Sequence, residues 1–297
     1  MNLMDVHLRD LRYFTAVAEE LHFRKAAERL FVSQPVLSRQ IARLEQDLKA
    51  QLFIRDRRSV QLTSAGEALL HRARHLLEDW DAATKEVAIL ARKEQSVLVI
   101  GLQTGVGRGM LHTLTQALNA IQWRPELHQV AWNDATAGVE AGDCDAGFAW
   151  LGTTINPHCG YVVVAEEPIM LAVNSQHRLA GRRQASFAEV SNEPLVVLPE
   201  SAKELRSFWL AEHARHGSPA PIACEAATAD EALENVAAGT GSVFISAGNS
   251  VLYAREGVHF LEVPDLPPAR LAFLWRAGDT RDVIRVAASA LQQRGDA

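Results

Sequence analysis

The stretch SQPVLSRQIARLE, from Ser33 to Glu45, places Gln34, Ser38, Arg39 and Arg43 where packing makes no demand on them. Its apolar residues Leu37, Ile41, Leu44 and Leu48 step by four, three and four, which defines one buried stripe of a helix. Ser33 can cap that helix, and Pro35 is tolerated in its first turn because no amide hydrogen is missed there. The opposite face carries only hydrogen-bond donors and positive charge. Such a face is either idle and solvated or it reads something polar and negative.

Other chemistry-bearing residues make weaker patterns. GLQTGVGRG (101–109) follows a strand and precedes a helix, but its glycines at 105, 107 and 109 fall as GxGxG, not GxGxxG. A flexible turn offering helix amides to a carboxylate or another polar group accounts for it better than a dinucleotide site. His71 with His75, and His213 with His216, have helical spacing but no Cys or carboxylate to complete a metal set, so solvated faces and no cofactor are expected. No nucleophile elbow, P-loop or HExxH motif occurs. Triads are spatial, so that absence alone does not exclude an enzyme. Cys144, Cys159 and Cys224 are odd in number and far apart; buried small hydrophobes in a reducing cytoplasm are expected, with a redox sensor as the alternative.

The elements that must position these residues follow from periodicity. With 297 residues the chain has room for about two domains, no apolar run reaches the ~18 residues of a membrane span, and MNLMDVHLRDLRYF lacks a secretory pattern. The first 95 residues hold 16 Lys and Arg against 14 Asp and Glu, leaving +2, while the rest carries −8 of the overall −6. A nucleic acid would therefore meet the front third. LRDLRYFTAVAEEL (8–21) and RKAAERLF (24–31) read as two helices, and a tight turn at Val32–Ser33 leads into the helix above. Two short helices joined by a tight turn, the second with an exposed polar face, form a helix-turn-helix. LFIRDRRSVQLT (52–63) reads as a two-stranded wing carrying Arg55, Arg57 and Arg58.

From Ser64 the pattern changes. Ser64 and Glu67 fit a capping box, with Thr63 as the other candidate cap. Leu69, Ala73, Leu76, Trp80, Ala83, Val87 and Leu90 recur at 4-3-4-3-4-3, the seam of two long helices and hence of a dimer. A lone helix lying on its own domain would show a wider face.

Beyond ARKEQS (91–96), strands are predicted at 97–102, 126–132, 146–151, 194–198, 221–226, 241–246, 258–263 and 270–276. Helices are predicted near 108–120, 135–142, 201–216, 229–239 and 280–294. AEEPIMLAVN (165–174) and VPDLPPARL (263–271) are the two places where the chain could cross between lobes. Two α/β lobes joined by two crossovers enclose a cleft, where ligands sit at strand carboxyl ends.

Phe23, Ala26-Ala27, Leu30, SQPVLSRQI, LE (44–45), LF (52–53), Arg55 and LTSAG (62–66) resemble the LysR-type transcriptional regulators over residues 8–66. The long helix and two-lobed cleft extend the resemblance to the full chain. It implies an all-α winged helix-turn-helix at 1–63, a linker dimerisation helix at 64–94 and a periplasmic-binding-protein-like α/β effector domain at 95–297. In that domain, lobe I takes about 95–165 and 265–297, and lobe II about 166–264. The implied partners are a double-stranded DNA operator, a small-molecule effector, further copies of itself as homodimer and homotetramer, and RNA polymerase. Its departures are Arg24 near the second helix start, expected to face phosphate, and Ala50 where a glycine commonly ends the recognition helix. Some aromatic-acid-responsive members hold Thr and Arg at positions aligned with Trp132 and Trp150, which implies a different effector here.

The expected division of labour is physical. Gln34, Ser38 and Arg39, beside Ser33 and Pro35 at the helix start, would meet base edges, with Arg39 suited to guanine and Gln34 to adenine. Arg24, Lys25, Arg43, Arg55, Arg57 and Arg58 would contact phosphate. For the effector, Gln103, Thr104, Gly105, Trp132 and Trp150 would come from one lobe and Pro199, Ser201, Ser246 and Asn249 from the other. The two indoles would suit a flat or ring-bearing ligand, or else belong to the core. The rival class is a metabolic enzyme or solute-binding module with a DNA tether.

Overall fold

The computed structural model describes residues 6–55, 59–132, 134–152 and 156–295. They divide into two compact units, Met1–Val87 and Ala88–Ala297.

The first unit opens with α1 (Leu8–Glu20), α2 (Phe23–Arg29) and α3 (Gln34–Leu48). Phe14, Val17, Ala26, Leu37, Ile41 and Leu44 face inward together, so the four-three stripe on α3 is the buried one. A wing of β1 (Phe53–Arg55) and β2 (Val60–Leu62) follows as an antiparallel pair. Then comes α4 (Ser64–Glu94). Its cap is Thr63: the hydroxyl accepts from the Gly66 amide at 3.0 Å and donates to the Gln51 carbonyl at 2.7 Å. Gly66 has no room for a side chain, since a Cβ there would stand 2.3 Å from the Leu52 carbonyl oxygen. Arg74–Glu19 at 3.1 Å and Arg12–Asp81 at 3.2 Å tie α4 to α1.

The second unit is α/β. β3 (Val97–Leu102), α5 (Met110–Ala120), β4 (Arg124–Gln129), β5 (Ala146–Trp150) and β6 (Cys159–Glu167) begin it. β7 (Ile169–Asn174), α6 (Phe187–Val190), β8 (Leu195–Val197), α7 (Lys203–Trp209), β9 (Ile222–Glu225), α8 (Ala229–Ala237), β10 (Val243–Ser246), α9 (Ala247–Leu252) and β11 (Val258–Glu262) form the excursion. β12 (Ala269–Arg276) and α10 (Asp282–Gly295) return. One sheet has the order β4-β3-β5-β12-β6, with β3 parallel to β4 and β5, and β12 antiparallel to β5 and β6. The other lobe holds β10-β7-β11 and the parallel pair β8-β9. The chain crosses between lobes at Pro168, between β6 and β7, and again between β11 and β12.

Several expectations need correction. The helix predicted at 135–142 is a run of turns, because the Asp134 carboxylate takes the Thr136 and Gly138 amides and competes with helical bonding. The helix predicted at 201–216 breaks at Ala211, which adopts φ 53. β6 and β7 are full strands where the sequence suggested mainly a crossover, and β4 starts two residues early. Ser33 is the N-cap of α3 but makes no side-chain cap bond. The residue that turns the chain out of α3 is Lys49, with φ 52, not Ala50. A left-handed lysine is strained where glycine would be free. Lys49→Gly should therefore raise the denaturant midpoint of the first unit by the equivalent of about 0.5–1 kcal/mol. An unchanged or lower midpoint in urea titrations would show that Lys49 carries no such strain.

Candidate DNA-reading face and ligand pocket

On α3, Gln34, Pro35, Arg39 and Arg43 are exposed, with Ser33 beside them, and Ser38 is half-buried. The cations differ in what already occupies them. Arg24 pairs with Glu28 at 2.9 Å and Arg43 with Asp47 at 3.8 Å, both one helical turn away. Arg55 is bound to Glu45 at 2.7 Å and lies over the Phe23 ring at 4.8 Å. Glu45 also accepts the Leu52 and Phe53 amides at 2.9 and 3.2 Å, so Arg55 and Glu45 together pin the wing to α3. The phosphate role expected of Arg55 and Arg24 thus competes with an internal partner. Lys25 and Arg39 are without a carboxylate partner among the described residues; Arg39 reaches only the Pro35 carbonyl, at 3.3 Å. The N-cap of α2 is His22, whose ring accepts from the Lys25 amide. Arg57 and Arg58 lie outside the described residues.

Along α4 the seven seam positions separate into two groups. Ala73 is fully buried and Leu69 half-buried against the core of the first unit. Leu76, Trp80, Ala83, Val87 and Leu90 are exposed, with Val87 at 67%. The first two residues of the predicted seam therefore pack within their own unit. The remaining five leave an apolar stripe facing outward.

A pocket of about 480 Å³, counting its mouth, opens between the lobes of the second unit. Gln103, Thr104, Trp132, Trp150 and Asn249 line it, as the strand-end argument expects. Four residues of the predicted set are not in its wall. Ser201 is exposed and lines a separate depression of about 1370 Å³ with His158 and Glu204. Pro199 lies at the start of the short 3-10 turn that carries Ser201 away. The Ser246 hydroxyl is spent as the cap of α9, accepting from the Asn249 amide at 3.3 Å. Gly105 is outside the wall, its amide donating to the Tyr253 hydroxyl at 2.8 Å. The apolar wall was not foreseen: Leu198, Leu205, Trp209, Leu233 and Phe244 complete it. They are ordinary core-type residues on helices and strands, and nothing in their spacing marks a pocket.

Arg108 and Glu167 were missed for another reason. Arg108 stands in the glycine turn, where a helix end bonding an anion was the expectation. Instead its guanidinium holds the Glu167 carboxylate through Nε and through Nη2 at 2.7 Å. Nη1 donates to the Val106 carbonyl, and Nη2 also reaches the Asn249 Oδ1 at 3.1 Å. Asn249 in turn donates to the Thr104 hydroxyl at 2.9 Å, so lobe I and lobe II are joined at the pocket by one network. Burial pushes the Glu167 carboxyl up, but hydrogen bonds from Arg108 and the Gly248 amide, with the Arg108 charge, bring it below its ordinary value.

Cys144 and Cys159 are poor candidates for redox sensing. Burial pushes the Cys144 thiol up to about 11 and raises Cys159 as well, so neither is thiolate at neutral pH.

A helix-turn-helix and a two-lobed binding domain in one chain make a DNA-binding transcriptional regulator that responds to a small molecule. Residues 8–67 match the bacterial regulatory helix-turn-helix protein, lysR family, and residues 91–296 match the LysR substrate binding domain. The chain belongs to the LysR family. It is similar to the uncharacterized HTH-type transcriptional regulator YnfL of Escherichia coli, 35% identical over 198 residues, which are 65% of this chain and 66% of that protein. It is also similar to BenM of Acinetobacter baylyi, 32% identical over 248 residues, 82% of this chain and 81% of that one. Among solved structures, full-length CbnR complexed with its target DNA superposes with TM-score 0.53 at 25% identity, covering 98% of this chain and all (100%) of that one. No helix among the described residues is long and apolar enough to cross a membrane.

The Glu167 shift fixes a pH dependence. A carboxyl whose pKa is lowered on folding stabilises the fold fully above its unfolded value near 4.5, and that contribution is lost as pH falls through the lower folded value. Glu167→Gln should therefore be less stable than the parent at neutral pH, and the two thermal midpoints should approach each other in acid. A gap that stays constant from pH 7 to about pH 3 would show that Glu167 does not titrate this way.

Proposed function

We propose that α3 enters the major groove of an operator, that two copies join along the exposed stripe of α4, and that the pocket between the lobes takes the effector. The carrying observation is the division of α3: Leu37, Ile41 and Leu44 are buried while Gln34 and Arg39 face out, the latter without a carboxylate partner among the described residues. Gln34, Ser38 and Arg39 read bases, and Lys25 and the wing arginines hold phosphate. CbnR is a relative seen on its target DNA, which supports the same use of the fold here. The relatives are named as transcriptional regulators, which favours a non-catalytic role in the cytoplasm with RNA polymerase as a further partner. The stripe from Leu76 to Leu90 supports a homodimer, from which a tetramer can be built.

Two measurements test this. Arg39→Ala should cost about 1–3 kcal/mol at the operator and flatten base preference at one half-site position, whereas Lys25→Ala should weaken all duplexes alike and lower the salt slope by about one unit. Identical behaviour of the two variants across salt titrations would remove the division of roles. Trp80→Asp puts a charge into the seam and should abolish the dimer in sedimentation while the second unit still binds its ligand. An unchanged mass would rule the stripe out as the dimer contact.

A further inference from the structure

We propose that the pocket selects an uncharged, ring-bearing molecule with a hydrogen-bond acceptor, and that the Arg108–Glu167 pair excludes anions from it. The proposal rests on the reading of this pocket as the effector site.

Among the described residues no member of the pocket wall is ionisable: its aromatic members are Trp132, Trp150, Trp209 and Phe244, and its polar members are Gln103, Thr104 and Asn249. Arg108 lies beside this wall, its guanidinium carbon 5.7 Å from the centre of the Trp150 ring, and Arg206, outside it, bonds the Leu198 carbonyl and pairs with Glu225 at 2.7 Å. Four of the five N–H groups of Arg108 have partners, with Nε and Nη2 on Glu167, Nη1 on the Val106 carbonyl and Nη2 also on Asn249. A ligand carboxylate could pair with its Nε/Nη2 edge only by displacing Glu167, which is 13% exposed and would be left as an unpaired charge. Stranding a buried charge costs more than the new pair returns.

The polar atoms that remain point to the ligand's chemistry. Gln103 is held at both ends, donating to the Asp134 carbonyl at 2.9 Å and accepting from the Trp150 amide at 3.1 Å, which leaves it one further N–H as a donor. The amide of Asn249 is oriented by its neighbours: Oδ1 faces the guanidinium and Nδ2 faces Thr104. Since the Thr104 oxygen accepts from Asn249, its own hydrogen is free to donate, and Asn249 keeps a second N–H. These free groups are all donors. They suit a carbonyl, ester or amide oxygen, while the indoles receive a flat ring.

The test compares matched neutral and anionic probes on the full-length protein: benzamide with benzoate, and salicylamide with salicylate. Tryptophan fluorescence and thermal shift report binding. The neutral member of a pair should bind about tenfold or more tightly than its anion, and Thr104→Val should weaken it about tenfold. Glu167→Gln should release Arg108 and reverse the preference toward the anion, and the Arg108→Gln/Glu167→Gln double variant should cancel that reversal. Equal binding of both members, still sensitive to Thr104→Val, would overturn the charge selection and leave the pocket standing. Binding of either member that ignores Thr104→Val would instead remove the pocket assignment on which the proposal rests. If no neutral probe binds the parent protein, the proposal also fails, and this comparison needs no variant to fold.

Discussion

The cleft of the second unit depends on one ion pair, Arg108 with Glu167. Arg108 leads into α5 in lobe I, and Glu167 ends β6 one residue before the chain crosses into lobe II. Both are mostly buried, at 15% and 13% side-chain exposure. Neither charge could remain there alone, because desolvation without a partner exceeds what local hydrogen bonds return. The pair also fixes its surroundings: Glu167 takes the Gly248 amide at 2.8 Å, and a Cβ on Gly248 would stand 2.3 Å from the Arg108 guanidinium. Glycine at 248 is thus a requirement of close approach. Asn249 and Thr104 inherit their orientation from this arrangement, and with them the hydrogen-bonding character of the pocket.

The same device appears elsewhere in the chain. Asp145, with a side chain fully buried, accepts the Val99 amide at 3.0 Å, bonds Arg281 at 2.9 Å and stands 3.5 Å from Arg92 in the last turn of α4. Glu45 accepts two amides at the start of the wing and holds Arg55. Each of these carboxylates serves backbone amides and an arginine together. The buried pairs of Glu167 and Asp145 add little net stability, since desolvation offsets attraction, but breaking one is costly, whereas Arg55 is more exposed and its pair is weaker. Their effect is positional: they set the wing against α3, the end of α4 against β5, and one lobe against the other.

How far the sequence could be read follows from which forces are periodic. The stripe of α3, the alternation in the wing and the apolar runs of β3, β5 and β12 announce themselves, because burial of one face imprints a repeat. Gln103, Thr104, Trp132, Trp150 and Asn249 were accessible through a topological rule about strand ends. Ser201 failed that rule because a 3-10 turn follows β8 and carries it out of the cleft. The turns at 135–142 were read as helix because the Asp134 carboxylate, which captures two amides, leaves no periodic trace. Arg108 and Glu167 are 59 residues apart in the chain, and only folding brings them together. Aperiodic, long-range polar contacts are the part a single sequence conceals.

The internal pairing of cations also bears on how such a protein would hold DNA. Arg24, Arg43 and Arg55 each already have a carboxylate at 2.9, 3.8 and 2.7 Å. Breaking an exposed pair of this kind costs only about 0–1 kcal/mol, so these side chains can turn to phosphate, but each turn leaves an acid facing the same polyanion. The first 95 residues carry only +2 overall, which limits sequence-independent attraction. A single helix-turn-helix in which, of the predicted contact residues, only Arg39 on α3 and Lys25 on α2 are without a carboxylate partner among the described residues is therefore a weak binder by itself. Joining two such units converts the second encounter into an intramolecular one and multiplies affinity without any new contact. The exposed stripe on α4 begins at Leu76, on a different face from Leu77, which still packs on the first unit's core, and so is free for the proposed join. In the proposed dimer the apolar stripe would offset the sparse basic face. Base-specific contacts then carry a larger share of the discrimination than they would on a strongly basic surface, which binds any duplex.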